Sequence, residues 1–265
     1  MRIGIFATAD EVADQAAALI IRAHARPDFV LGVATGGTPI PLYERLRAAH
    51  SAGRFDLSHA RAFALDEYIG IAADHPERYR NFLCHHLIEA DEGTGLRESH
   101  LHTPDALAED PYQAAADYDQ AIRDSGGVDI QILGIGADGH IGFNEPGGSL
   151  TSRTNVGVLT ARTRQDNARF FDDDLSQVPT QCVTQGLGTI MEARHLLLLA
   201  TGAGKAEAVA HLVEGAVSAR WPATITQMHP HTTVLVDEAA AARLELADFY
   251  RAQWEAEAAS EQPLR

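Results

Sequence analysis

A glycine-dense segment at residues 128–146, VDIQILGIGADGHIGFNEP, constrains the fold more than any other part of the chain. Its apolar beginning, VDIQIL, is typical of a buried β-strand. The glycines that follow favour irregular backbone, and Pro146 prevents a helix from continuing through it. The segment therefore predicts a strand that leaves its sheet through a loop, and this loop carries Asp138, His140 and Glu145.

These three ionisable residues are the usual groups for moving protons near neutral pH. A carboxylate beside a histidine fixes the tautomer of the ring and stabilises its charged form. Open α/β sheets bind ligands at the carboxyl ends of their strands, where this loop begins. We therefore predict that Asp138, His140 and Glu145 are catalytic. The alternative is a polar loop whose side chains hydrogen-bond one another.

Residues 134–139 also match the G-x-G-x-x-G pattern of dinucleotide-binding folds. That site requires a helix that begins inside the motif and directs its amides at the pyrophosphate. Here the continuation HIGFNEPGG is incompatible with a helix, and Asp138 would repel phosphate. The pattern therefore does not predict a nicotinamide cofactor.

Alternating strand and helix patterns predict a single Rossmann-like α/β domain over residues 1–265, with an open, mainly parallel sheet and helices on both faces. The predicted strands are 2–6, 29–34, 60–65, 128–135, 195–200 and 232–237. The predicted helices are 10–24, capped by Asp10, 39–50, 76–89, 112–125, 205–214 and 239–258. We interpret the less regular residues 147–180 as a flap beside the site.

The net charge of −16 argues against nucleic acid and anionic membrane surfaces as partners, because phosphate backbones require a basic face. No apolar stretch approaches the ~18 residues of a membrane span, and the apolar N-terminal run is too short for a signal peptide. Cys84 and Cys182 have no CxxC spacing. Two reduced thiols in a cytoplasmic protein are therefore favoured over a disulfide.

A second loop, TGGTP, follows the predicted strand 29–34. Pro39 suits the first turn of a helix, and the free amides of that turn can bind an anion such as phosphate. The predicted phosphate ligands are Thr35, Gly36, Gly37 and Thr38. The Gly-Lys-Ser/Thr end of a nucleotide-hydrolysing P-loop is absent. The alternative is an ordinary turn between a strand and a helix.

Other charged residues follow predicted strands at the same edge. Asp66 and Glu67 come directly after a strand, so either can be a general base, and the alternative is a helix cap or a bond to a neighbouring loop. Lys205 lies at a helix start, where a cation is unfavourable, and an anionic ligand would explain its presence. Arg169 is a second candidate cation or a solvated helix arginine. We predict no metal site, since no histidine pair has metal-ligand spacing.

The order and spacing of these motifs resemble those of the glucosamine-6-phosphate deaminase/isomerase family. The resemblance covers essentially the whole chain and rests on GGTP, FALDEYIG, GIGADGHIGFNEPGGSLTSRT, ARFF and TGAGKA. The related 6-phosphogluconolactonases share the fold and a weaker form of these motifs. The DEY and FNEP elements are more similar to the deaminases.

The resemblance implies conversion of D-glucosamine 6-phosphate and water to D-fructose 6-phosphate and ammonium in amino-sugar catabolism, without a redox cofactor or metal. It implies that His140 opens the pyranose ring while Asp138 and Glu145 orient and charge it. Asp66 then moves a proton between C2 and C1. The implied phosphate ligands are the TGGT loop, Arg169 and Lys205, acting through charge-assisted bonds.

Two alternatives stay open. A 6-phosphogluconolactonase-like hydrolase would leave Asp66 without a role as a C2 base. A non-enzymatic sugar-phosphate sensor would need a DNA-binding module, for which the expected first strand at Arg2 leaves no room. The motifs do not separate glucosamine from galactosamine 6-phosphate, and the family is commonly oligomeric, so a homo-oligomer is compatible with the resemblance.

The family also has an allosteric branch, in which basic residues just after the SRT triplet bind N-acetylglucosamine 6-phosphate. In this chain that triplet, Ser152-Arg153-Thr154, is followed by the uncharged Asn155 and Gly157. Gly148 also lacks the hydroxyl that this branch places after the NEP turn. We therefore expect no response to N-acetylglucosamine 6-phosphate.

Overall fold

The computed structural model describes residues 1–24, 26 and 28–259, and its strands form two sheets. The strands are β1 (Arg2–Phe6), β2 (Val30–Val33), β3 (Arg61–Ala64), β4 (Asp66–Tyr68), β5 (Leu101–His102), β6 (Ile130–Leu133), β7 (Asn155–Val158), β8 (Gln181–Thr184), β9 (His195–Ala200) and β10 (Thr232–Asp237). The helices are α1 (Ala9–Ala23), α2 (Ile40–Ser51), α3 (Tyr79–Cys84), α4 (Pro111–Asp124), α5 (Ala161–Asn167), α6 (Leu187–Ile190), α7 (Ala206–Glu214), α8 (Glu238–Ala241) and α9 (Ala247–Ala259).

Seven parallel strands form the main sheet in the order β1-β10-β9-β6-β2-β3-β5. Every strand predicted from the sequence belongs to it, and the predictions for residues 2–6, 195–200 and 232–237 match the observed bounds. β9 and β10 are buried along their whole length, which suits strands covered on both faces. The predicted α/β class with a mainly parallel sheet is confirmed.

The cap of α1 differs from the prediction. Thr8 precedes the helix, and its hydroxyl accepts a hydrogen bond from the backbone N–H of Glu11 at 3.2 Å. The predicted cap, Asp10, lies inside the first turn. A threonine hydroxyl satisfies one of the unpaired N–H groups at a helix start, as an aspartate does, so composition alone does not separate the two.

The prediction of one helix over residues 239–258 is wrong, because the chain forms α8 and α9 there. The Glu214 carboxylate accepts hydrogen bonds from the backbone N–H groups of Glu245 and Leu246, each at 2.9 Å. These bonds anchor the chain just before α9. Since Glu214 lies on α7, the break depends on a residue outside the predicted segment.

The second sheet has three short antiparallel strands in the order β4-β8-β7, which the sequence patterns do not predict. Asp66 of β4 is in register with Thr184 of β8. An apolar cluster separate from the main core packs beside this sheet and includes Tyr68 and Phe143. Residues 147–180, the expected flap, contain β7 and α5 and lead into β8.

Parallel strands place their carboxyl ends at one edge of a sheet, so the loops after β2, β3, β6 and β9 meet there. Cys84 and Cys182 are buried free thiols, as the sequence predicts. Among the described helices, none has the length and apolar character needed to cross a membrane.

Candidate active site

A cleft opens at the carboxyl edge of the main sheet. Most of the predicted site residues line it, namely Thr35, Gly36, Gly37, Thr38, Asp66, His140, Arg169 and Lys205. The two others, Asp138 and Glu145, contact the His140 ring instead of lining the cleft. The structure therefore brings together residues from the loops after β2, β6 and β9, from the start of β4 and from the segment 147–180.

The loop after β6 holds His140 between two carboxylates. Its Nδ1 lies 2.7 Å from Asp138 Oδ1 and 3.8 Å from Glu145 Oε2. Glu145 Oε1 accepts a hydrogen bond from the Thr160 backbone N–H at 3.1 Å. With Nδ1 engaged by carboxylates, Nε2 is the ring nitrogen left to act on a ligand in the cleft.

Two glycines make this arrangement possible. A Cβ on Gly136 would lie 2.2 Å from His140 Cε1, so only glycine leaves space for the ring. Gly139 has a φ of +86°, and a Cβ there would lie 2.6 Å from Trp221 Cε3. The loop closes on itself through the Gly136 N–H, which donates to the His140 carbonyl at 2.8 Å. The glycine spacing is therefore a requirement of histidine placement and not of dinucleotide binding.

The carboxylate of Asp138 is strongly favoured in its charged form. Burial acts against that form, but the hydrogen bond and charge of His140 outweigh it and lower the pKa of Asp138 well below its ordinary value. The buried Glu145 Oε2 has no hydrogen-bond partner among the described residues. This oxygen lies 3.8 Å from His140 Nδ1, so a second carboxylate faces the same side of the ring as Asp138.

Asp66 occupies a contrasting environment. Asp66 is only 6% exposed, and no described residue donates a hydrogen bond to its carboxylate. Burial, followed by the negative charge of Glu67, raises the pKa of Asp66 well above its ordinary value. A carboxylate with a raised pKa is a stronger base once it is ionised, which suits removal of a proton from carbon.

Glu67 resolves the ambiguity between the two neighbouring acids. It is fully buried, and its oxygens accept hydrogen bonds from the backbone N–H groups of Tyr68, Tyr79 and Arg80, each at 3.0 Å. Glu67 therefore caps the start of α3, which is the alternative given above for one of the two acids. Asp66 lines the cleft and is the acid left as the candidate base.

The anion-binding side of the cleft combines backbone amides with two cations. The TGGT loop precedes α2, whose first turn receives no side-chain cap. Lys205 is partly buried, and burial lowers its pKa. Arg169 is exposed, and its guanidinium lies 4.7 Å from the centre of the Phe170 ring. Neither cation forms a salt bridge with a described residue, so both are available to an anionic ligand.

The cleft-lining residues that sequence reasoning missed include Tyr79 and Asn167. The Tyr79 hydroxyl donates to the Tyr68 hydroxyl at 3.0 Å, and Asn167 Nδ2 donates to the same oxygen at 2.8 Å. These bonds connect α3, β4 and α5. No local pattern marks these residues, because their meeting point depends on the small sheet.

A metal ion is a second possible use of the histidine loop. One ligand atom from each of Asp138, His140 and Glu145 lies within 4.8 Å of the others. However, the Nδ1 atom that faces both carboxylates is already hydrogen-bonded to Asp138 at 2.7 Å. An ion bound at Nδ1 would have to displace this hydrogen bond.

Comparison with known proteins shows the family to which this chain belongs. The family model of glucosamine-6-phosphate isomerases/6-phosphogluconolactonase matches residues 6–235. Proteins named glucosamine-6-phosphate deaminase from Mycolicibacterium smegmatis and Beutenbergia cavernae are 58% and 57% identical over 248 and 241 residues. These alignments cover 93% and 91% of this chain and 92% and 90% of those proteins.

Solved structures show the same relationship at the level of the fold. A monomeric glucosamine-6-phosphate deaminase is 37% identical, with a TM-score of 0.88, and the match covers 92% of this chain and 100% of that one. The 6-phosphogluconolactonase from Trypanosoma cruzi has a TM-score of 0.74 at 21% identity, covering 92% and 97% of the two chains. The second match shows a shared fold alone.

Proposed function

The chain belongs to the family of glucosamine-6-phosphate isomerases and 6-phosphogluconolactonases, and we propose that within this family it is a glucosamine-6-phosphate deaminase. It converts D-glucosamine 6-phosphate and water to D-fructose 6-phosphate and ammonium. The observation that carries the proposal is that two separate ionisable side chains able to transfer protons, Asp66 and His140, line one cleft. A deaminating isomerase needs both, whereas a lactonase needs only one base.

His140 opens the sugar ring in the first step. Ring opening requires that the anomeric hydroxyl lose a proton and that the ring oxygen gain one. The free Nε2 can carry this proton, because Asp138 and Glu145 stabilise the charged ring from the Nδ1 side. The product is an open-chain amino aldose with its aldehyde at C1.

Asp66 carries the second step. It removes the proton from C2 to give an enol-type intermediate and returns a proton to C1. The resulting imine at C2 takes up water and releases the amine as ammonium, which leaves the ketone of fructose 6-phosphate. A buried, unpaired carboxylate suits this transfer because few competing proton donors surround it.

The phosphate lies against the TGGT loop and the first turn of α2, with Lys205 and Arg169 as charge-assisted donors. These local donors offset the net charge of −16, which otherwise repels anions. The proposed partner is thus a small sugar phosphate and neither nucleic acid nor a membrane. Two buried free thiols agree with a cytoplasmic location.

Ammonium release from purified protein tests the proposal. Glucosamine 6-phosphate and galactosamine 6-phosphate are offered in parallel, and hydrolysis of 6-phosphogluconolactone is followed as a competing activity. We expect ammonium and fructose 6-phosphate from the gluco substrate. Lactone hydrolysis without any ammonium release would contradict the proposal and favour the hydrolase alternative.

A further inference from the structure

Glu67 is a buried carboxylate that the proposed mechanism does not use. Oε1 accepts hydrogen bonds from the N–H groups of Tyr68 and Tyr79, and Oε2 accepts one from Arg80. Arg78 Nε lies 3.9 Å from Oε2. With both oxygens accepting N–H bonds, the arrangement fits the ionised form, and these donors oppose the effect of burial, which raises the pKa of Glu67.

These bonds connect the strand that carries Asp66 to the helix that carries Tyr79. The first N–H groups of a helix have no partner within the helix, and the residue before α3 provides no side-chain cap. Glu67 supplies the missing acceptor from β4. The start of α3 is therefore fixed relative to Asp66, and Tyr79 lines the cleft from that start.

The charge of Glu67 also acts directly on Asp66. The titratable groups that interact with Asp66 through space include Glu67, Tyr68, Tyr79, Tyr118 and Cys182. His140, Arg169 and Lys205 line the same cleft as Asp66. The tyrosines and the cysteine are uncharged, because burial raises the pKa of each above its ordinary value. Glu67 is thus the buried negative charge that acts on Asp66, in an environment where charges interact strongly.

We propose that Glu67 is a positioning residue, which fixes the cleft wall at Tyr79 and places a negative charge beside Asp66. It touches no substrate atom and acts through its two neighbours. A neutral cap would hold α3 but would leave Asp66 a weaker base. The kinetic part of the inference rests on the proposed function, whereas the anchoring part does not.

Glu67→Gln tests the charge. Activity requires ionised Asp66, so kcat/KM rises with pH along an acidic limb set by Asp66. Removal of the neighbouring charge lowers the pKa of Asp66, so the limb moves to lower pH by about one unit, with a lower maximum. Glu67→Asp retains the charge and keeps the limb in place. Glu98→Gln, which removes an exposed carboxylate bonded to Arg80, is the matched control and leaves the limb unchanged.

An unmoved acidic limb in a folded Glu67→Gln variant overturns the charge effect. Amide hydrogen exchange of the parent protein tests the anchoring without any variant. We expect slow exchange at Tyr79 and Arg80, although first-turn amides usually exchange quickly. Fast exchange of both the Tyr79 and the Arg80 amides in the parent protein overturns the inference. This result does not depend on whether the Glu67→Gln variant folds. A parent that releases no ammonium contradicts the proposed function instead, and the exchange result still decides the anchoring.

Discussion

The loop after β6 and the corner between β3 and β4 place two aspartates in opposite environments. Asp138 is bonded to His140 at 2.7 Å, and its pKa is lowered. Asp66 receives no hydrogen bond from a described residue, and burial raises its pKa. The loop after β6 thus stabilises the charged form of Asp138 with a hydrogen-bond partner. The corner between β3 and β4 makes Asp66 a stronger base, because the burial that raises its pKa is not offset by hydrogen bonds. Two proton transfers of different kinds can therefore occur in one cleft.

The largest expected effect comes from Asp66→Asn. The amide keeps the shape of the side chain but accepts no proton, so kcat falls by roughly 10²-fold or more while substrate affinity is largely retained. Ammonium release and a thermal unfolding curve measure the two effects. Asp74→Asn, at an exposed position, is the control and keeps full activity. Near-normal turnover in folded Asp66→Asn contradicts the assignment.

His140→Gln separates the two regions. Ammonium release falls by about 10²-fold because ring opening loses its proton carrier. Exchange of the C1 hydrogen of fructose 6-phosphate with deuterated water, in the presence of ammonium, uses the open-chain ketose and depends on Asp66. We expect NMR to show this exchange in His140→Gln and not in Asp66→Asn. Loss of exchange in both variants would mean that the regions do not act separately.

Lys205→Ala and Arg169→Ala act on substrate binding. Each removes a charge-assisted bond, so KM rises by about ten- to hundredfold, with the larger change at the more buried Lys205. Lys205 is also the only lysine of the chain. An amine-directed reagent therefore labels Lys205 and the N-terminus alone, and inorganic phosphate is expected to protect Lys205. An unchanged KM in both variants contradicts the phosphate assignment.

Chelation is expected to have no effect. The Asp138–His140 contact at 2.7 Å already uses the atoms that an ion would need. Full ammonium release after dialysis against EDTA is the predicted result. Activity that disappears and returns with one divalent metal would show that the histidine loop is a metal site.

The smallest expected effect concerns the region after the SRT triplet. Arg153 is paired with Asp119 and Glu192, with shortest contacts of 2.9 and 2.5 Å, so it does not replace the missing cations. We predict hyperbolic kinetics that N-acetylglucosamine 6-phosphate does not change. Because coupling free energies are typically about 1–3 kcal/mol, loss of two charged bonds is sufficient to abolish the response. A sigmoidal rate curve made hyperbolic by this compound contradicts the prediction, and Arg162 would then be the next residue to test.

The difference between the two regions also explains what the sequence could predict. Asp138, His140 and Glu145 lie within one short loop, so their grouping is visible in the sequence. Continuous apolar runs likewise predict the bounds of β9 and β10. The environment of Asp66 depends on Thr184, which pairs with it from far along the chain. The short strands β4, β7 and β8 likewise have no local sequence pattern, because each forms by pairing with a strand that is distant in the sequence.

The choice between Asp66 and Glu67 needed the structure as well. Both follow the same strand, and neighbouring residues of a strand point to opposite faces. Which face meets the cleft depends on where α3 lies, and α3 begins at Tyr79, twelve residues after Glu67. Sequence reasoning could therefore identify the pair and its two possible roles, but not assign them.

Transfer of a C2 label tests the separate role of Asp66 most directly. Glucosamine 6-phosphate with deuterium at C2 is converted by the parent protein in a single turnover, and C1 of the fructose 6-phosphate is examined by NMR. Because the Asp66 carboxyl is buried and unpaired, it exchanges slowly with water and returns part of the label. We predict measurable deuterium at C1. Product with no deuterium at C1 would contradict direct transfer by Asp66.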